Sequence, residues 1–311
     1  MRGKIIIGLI LLAAVVAGVW AVSAIFISPR EDESPAEPAV VSPIKLASLH
    51  PLLSEMARRI GGEAVEVVDL FPPAAELHSF TPSASAVAAA AGSRLLLACG
   101  KGVEPYLRDL RDTLPPTTAI LELGEGIPDT LAPDARTPDP HWWSTPANMK
   151  RASLALSAAL QQAAPAAAPG IAERQQAWAA EMDSLTRRAR LELTRIPPEQ
   201  RVLVTEHAAM CHFCAEFHFT PIAVQGVAQE SEGDTAGIAR LLAELRAKGI
   251  PCLFADAGDS PRFLQNLSAQ LGAELRCLYM DGTHPTGAPL SYEDMFMHNV
   301  YAIRDGLRKT P

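Results

Sequence analysis

The sequence predicts an α/β protein of two lobes, each with a parallel-type sheet, joined by one long helix. Two observations carry this. Short apolar runs alternate with amphipathic helical stretches in two separate blocks, and between the blocks lies a long segment without internal proline or glycine. Strands alternating with helices are the pattern of βαβ units, which build parallel sheets. With 311 residues, 48% of them hydrophobic and 20% charged, the chain can bury a sizeable core as one large domain or two of ordinary size.

The first block opens with a strand signal over 44–49, followed by helical spacing of Leu52, Leu53, Met56 and Ile60 over 51–60. A second alternating run, 64–70, stops at Phe71-Pro72-Pro73. An alanine-rich helix over 83–91 leads into the buried-strand run 95–98. The second block begins at Arg201, with a strand over 202–205, a helix over 208–217 and an amphipathic helix over 237–248. A strand over 252–255, a helix over about 261–271, a strand over 276–279 and a closing helix over 292–307 complete it. The connecting segment 171–196 is rich in Ala, Glu, Gln and Arg, is preceded by Pro169-Gly170 and is stopped by Pro197-Pro198. As one helix it would run ~39 Å, enough to join two lobes, although an ordinary helix within one domain has the same pattern. The expected division is an N-terminal lobe over 44–168, a connecting helix over 169–198 and a C-terminal lobe over 199–311.

Ahead of the first block, Arg2 and Lys4 precede an apolar run over 5–27, the pattern of an export signal. Val22-Ser23-Ala24 offers small residues to a signal peptidase, while the run also approaches the ~20 residues that span a bilayer, so an uncleaved membrane anchor competes. No cysteine follows until Cys99, which argues against lipid attachment. The segment 28–43, SPREDESPAEPAVVSP, is too poor in apolar residues to fold and reads as a disordered linker. The chain is expected outside the cytoplasm, periplasmic or otherwise extracytoplasmic.

The net charge is −8, which leaves no broad basic footprint for nucleic acid. Five cysteines, Cys99, Cys211, Cys214, Cys252 and Cys277, leave at least one unpaired within the chain. A bridge between Cys252 and Cys277 on neighbouring strands is one option.

Among eight histidines there is no H-E-x-x-H pair, hence no zinc-protease helix. Several histidines fall instead where strand–helix units turn. His78 follows the Phe71-Pro72-Pro73 break, His141 sits in the proline-framed TPDPHWW, and His207 comes directly after the strand 202–205. Asp281 follows the strand 276–279 in the same way. Open α/β sheets bind ligands outside the carboxyl ends of their strands, and three imidazoles with one carboxylate suit a tetrahedral divalent ion. Spacing alone does not single these four out, because a lone loop histidine is more often a hydrogen-bonded surface residue.

At these residues the chain resembles the metal-specific solute-binding proteins of zinc and manganese ABC importers. Four blocks carry the resemblance, from about Ile44 to Leu307: SLHPLLSEMARRIGG through ELHSFTPS to LLLACGKGVEPYL, then DPHWWSTPANM, EHAAMCHFCAEF and LYMDGTHPTGAPLSYEDMFMHNVYAI. It implies two lobes joined by a long rigid helix, with a metal in the cleft held by His78, His141, His207 and Asp281. It implies a monomeric binding protein that delivers its ion to an ABC importer permease in the cytoplasmic membrane, not an enzyme. Manganese-preferring members tend to carry glutamate where this chain has His207. More nitrogen favours Zn2+, with Mn2+ or Fe2+ as alternatives.

The chain departs from that pattern in places. The region ELGEGIPDTLAPDARTPDP lacks the His- and Asp-rich loop of many zinc members. Asp281 is followed by Gly282-Thr283 rather than Pro-Leu, and His284 is close enough to replace or assist it. Cys211-His212-Phe213-Cys214 places two thiols on one helix face, which reads as packing, a disulfide or, with less support, a soft-metal contact. His50, His218 and His298 read as structural, and Trp142 and Trp143 as packing around His141. Two other classes compete, an extracytoplasmic zinc hydrolase and a metal-dependent adhesin. Glu206 is the hydrolase's only obvious general base, and four protein ligands would close the site to water.

Overall fold

The computed structural model describes residues 42–72, 80–131, 138–224, 235–257, 262–282, 284, 288 and 290–308. The apolar run 5–27, nearly all of the linker, and His78 lie outside them. Among the described residues no helix is long and apolar enough to cross a membrane.

Strands β1 (Ile44–Ser48), β2 (Val65–Asp69), β3 (Leu95–Ala98) and β4 (Ala119–Glu122) form a parallel sheet in the order β2-β1-β3-β4. All four residues of β3 are buried, as expected of an inner parallel strand covered on both faces. Leu46 and Leu97 face one core, while Ala47 and Leu96 face the other with Leu107 and Leu110. Helices α1 (Pro51–Gly61), α2 (Ala84–Ala90) and α3 (Leu107–Thr113) cover this sheet. Pro51 starts α1 where a missing N–H costs nothing, and Ser83 caps α2 through the Ala86 amide.

The second sheet repeats the plan. Strands β5 (Val202–Thr205), β6 (Thr220–Ala223), β7 (Cys252–Asp256) and β8 (Glu274–Leu278) are parallel in the order β6-β5-β7-β8. Two more helices come between the sheets, α4 (Pro146–Ala163) and α5 (Ala168–Leu193); α6 (Cys211–Phe217), α7 (Thr235–Lys248), α8 (Arg262–Leu271) and α9 (Tyr292–Leu307) follow.

The long helix is present, starting at Ala168 because Pro169 fits the first turn. Its 26 residues correspond to a span of ~39 Å. Ile171, Gln175, Trp178, Met182, Leu185, Ala189 and Leu193 make a buried stripe at helical spacing. One core cluster runs from Leu46 through Trp178 to Phe254 and Leu307, so α5 packs into both halves. Arg174 on α5 donates to the last carbonyls of α1, those of Ile60 and Gly61, at 2.8 and 2.7 Å.

Three expectations change. The helix expected over 208–217 begins only at Cys211, because 206–210 folds into a bend in which the His207 carbonyl accepts from Ala209 N–H and Thr205 Oγ1. The bridge between Cys252 and Cys277 is absent. Because β8 starts at Glu274, Cys252 pairs with Glu274 and Cys277 with Ala255, and all five cysteines are free thiols. That also removes a Cys211–Cys214 disulfide. Helices α3 and α4 and strands β4 and β6 were not legible in the sequence pattern.

Candidate metal centre

In each parallel sheet the strand order switches side between the first and third strands, at β1/β3 and at β5/β7. Ligands of open α/β sheets gather at the carboxyl ends of strands at such switch points. His50 stands just past β1 and His207 two residues past β5. Asp281 lies on the bend after β8, and His141 on the turn between β4 and α4.

His141 is 3% exposed and is held by Asp139, which is 2% exposed. Asp139 Oδ1 accepts from the His141 backbone N–H and from Nδ1, each at 2.8 Å. A proton on Nδ1 leaves the ring's lone pair on Nε2, the arrangement by which a carboxylate orients a metal-binding histidine. The other oxygen, Oδ2, accepts from Cys211 N–H at 2.8 Å and so caps α6 from the first half of the chain. Burial alone would raise the Asp139 pKa, but the hydrogen bonds that His141 donates hold it below the usual carboxylate range.

The DPHWW turn is fixed from behind as well. His212 on α6 is 5% exposed, with Nε2 3.1 Å from the Asp139 carbonyl and Nδ1 near Thr130 Oγ1 and Asn148 Nδ2 at 3.0 and 3.2 Å. Since an amide nitrogen only donates, Nδ1 is the acceptor and Nε2–H the donor. Burial pushes the His212 pKa down, in keeping with this neutral form. Trp142 Nε1 donates to the Cys99 carbonyl at 3.0 Å, and a Cβ on Gly124 would come within 2.5 Å of that nitrogen.

Three of the candidate residues, together with His50, fall into two pairs. The rings of His141 and His207 lie 5.3 Å apart, centroid to centroid. Two imidazoles sharing one tetrahedral zinc through N–Zn bonds of about 2.0–2.1 Å would have centroids ~5 Å apart. The observed spacing permits that geometry without demanding it, since aromatic pairs in contact span about 4.5–7 Å. In the second pair, Asp281 Oδ1 is 3.8 Å from His50 Nε2. Trp143 joins the pairs: its ring lies 5.3 Å from His141 and 4.8 Å from His50, and its Nε1 donates to the Met280 carbonyl at 2.8 Å, next to Asp281. Gly282 adopts φ 70°, and a Cβ there would come within 2.5 Å of Leu52, which accounts for glycine after Asp281.

His207 is half-buried on the wall of a small pocket shared with Glu206, Met210, Phe254, Asp256 and Met280. His284 packs edge-on against Tyr279 at 5.5 Å. Among the described residues no three of His, Cys, Asp and Glu converge tightly enough to hold an ion. Cys211 and Cys214 are buried, and burial pushes the Cys211 thiol up to about 12 and that of Cys214 well above its usual range. A metal ligand must be thiolate, so this environment disfavours a soft-metal contact.

Sequence reasoning took His50 as purely structural and gave no role to Asp139 or His212. The signals for the first two were there, a polar residue ahead of Pro51 at a helix start and an aspartate two residues before His141 in a rigid frame. His212 had none, because its partners Thr130, Asp139 and Asn148 lie far away in sequence.

Residues 46–306 match the family described as ZnuA, zinc-uptake complex component A, periplasmic. The chain belongs to the ZnuA family. This is a family of metal-binding, substrate-binding proteins of ABC importers. Among curated proteins, it is 24% identical over 266 residues to the iron-binding protein YfeA of Yersinia pestis, covering 84% of this chain and 86% of YfeA. It is 24% identical over 269 residues to the manganese-binding lipoprotein MntA of Bacillus subtilis, covering 82% and 87%. It is also 24% identical over 264 residues to the zinc-binding protein TroA of Treponema pallidum, covering 81% and 85%. The solved structure of the periplasmic zinc-binding protein TroA from Treponema pallidum superposes with a TM-score of 0.76 at 22% identity, over 86% of this chain and all of that one. A manganese-bound periplasmic protein of Candidatus Liberibacter asiaticus gives 0.77 at 18% identity, over 85% of this chain and all of that one. These two likenesses show that the ZnuA-family chain has the same fold.

Proposed function

We propose that this protein captures a divalent transition ion outside the cytoplasm, zinc before manganese or iron, and presents it to the permease of an ABC importer. The ion is the cargo. His78, His141, His207 and Asp281 are its proposed ligands, two from each half of the chain. The observation that carries the reading is the 5.3 Å approach of His141 to His207, with His141 set by Asp139 to offer Nε2.

The choice of zinc rests on the donors. Relatives named for iron, manganese and zinc are each 24% identical, so similarity does not choose among the metals. Three imidazoles and one carboxylate are nitrogen-rich, whereas manganese favours carboxylate and water. Four protein ligands leave no open position for an activated water, which supports capture rather than hydrolysis. An ion held from both halves ties them together, and that tied form is the one a permease would distinguish.

The test is metal content and competition titration of the full chain and of His141→Ala. We expect one zinc per chain, and in the variant a loss of affinity beyond the roughly 10–100-fold typical of a lost outer partner. Zinc should also raise the melting temperature, since an ion at about 1,000 times its Kd adds about 4 kcal/mol of stability. A protein without bound metal, or with zinc indifferent to His141, would refute the reading.

A further inference from the structure

His50 does two jobs with two nitrogens. It is 1% exposed, and Nδ1 accepts the Leu52 N–H at 3.2 Å, capping α1. A neutral imidazole carries one acceptor and one donor, so its proton then sits on Nε2. That Nε2–H is buried and has no hydrogen-bond partner among the described residues. Leaving such a donor unmet is costly, which is why native proteins rarely do so without a reason. It faces Asp281 Oδ1 at 3.8 Å, too far for a hydrogen bond.

The donor is held in place on three sides. The His50 ring stacks on Phe71 at 6.3 Å and lies against Trp143 at 4.8 Å, and the cap to Leu52 sets its rotation. Asp281 lies on the bend after β8, and its side chain is 23% exposed, against 1% for His50. We propose that His50 is a positioning residue for ion capture: its Nε2–H takes one oxygen of Asp281 and presents the other to the metal. His50 is not itself a ligand, because ligation through Nε2 would shift its proton to Nδ1, against the Leu52 N–H.

This inference rests on Asp281 being a ligand and extends it to selectivity. A carboxylate with one oxygen occupied by His50 binds through the other alone. That suits four-coordinate zinc better than an ion that takes six oxygen-rich positions.

Two substitutions separate the two jobs. His50→Asn keeps an acceptor for the Leu52 amide and removes the distal donor; His50→Gln reaches the Nε2 position with an amide N–H and loses the cap. Zinc and manganese affinities and the ion-free melting temperature are measured for both, beside wild type and Asp281→Ala. We expect His50→Asn to melt near wild type without metal and to lose roughly 10-fold in zinc affinity, with a smaller loss for manganese. His50→Gln should melt lower and bind zinc more tightly than His50→Asn. Wild-type affinity and metal preference in His50→Asn, with Asp281→Ala weakened, would overturn the inference alone. Asp281→Ala binding like wild type would overturn the ligand assignment and this inference with it.

Discussion

The two sheets share one strand order, yet their carboxyl ends are built differently. At the first, His50, Cys99 and Glu104 are each 4% exposed or less, and so is His141 beside them. Glu104 accepts the Cys99 and Gly100 amides at 2.7 and 3.0 Å, and Trp142 holds the Cys99 carbonyl. At the second, Glu206, His207 and Asp256 are only half-buried around a pocket. Among the described residues the first end is closely packed, while the second is partly open to solvent. That division suits capture, because a closely packed end sets the geometry and lowers the ordering cost while the more open end admits the ion.

The largest test of this contrast is stability without metal. Trp142→Ala should cost about 3–5 kcal/mol, as removal of a fully buried aromatic does. His207→Ala should cost less than about 1 kcal/mol, since the residue is only partly buried. Urea unfolding of the two ion-free variants decides it. Equal losses would mean that the second end is as closely packed as the first.

Asp139 links the two regions, and its loss should register in binding. Asp139→Asn keeps one acceptor for His141, but its amide N–H2 then confronts the Cys211 N–H that the second oxygen now accepts. An asparagine turned the other way would set the wrong tautomer of His141 instead. In either orientation ion affinity should fall about 10–100-fold, read by competition titration. An unchanged affinity would mean that neither the tautomer nor the tie to α6 matters to the ion.

Much of the fold was legible because the central elements obey strong patterns. Strand β3 and helix α9 were read to the residue, the one as an apolar run between Ser93-Arg94 and Gly100, the other behind the capping residue Ser291. The missed strands β4 and β6 are both sheet edges, four residues long and incompletely buried, and β6 carries Pro221, which only an edge tolerates. Helix α4 was missed because half of its buried positions are small or polar, among them Ala152, Ser153 and Ser157, which blunts the amphipathic signal. Of the candidate site, the setting of His141 was legible because one short segment, Asp139 to Trp143, builds it. The site was not legible where distant segments meet, as His50 and Asp281 do, since no local pattern encodes that approach.

The smallest expected effect lies at Glu104. Burial raises its pKa above the ordinary 4.5, and the Cys99 and Gly100 amides only partly oppose this. The folded protein therefore keeps a proton that the unfolded chain gives up, so the native state binds more protons between the two values. Stability then falls as pH rises from 4.5 through the raised pKa, and is regained below it. Glu55 and Glu216, also raised by burial, pull in the same direction. Glu104→Gln removes one contribution and leaves those two. Glutamine offers one acceptor for two amides, so the variant starts less stable, but it should lose less between pH 5 and pH 7 than the wild type. Urea midpoints at the two pH values measure the slope. Identical slopes would mean that Glu104 is ionised in the native state as easily as in the unfolded chain, and that the first switch point is less dry than its burial indicates.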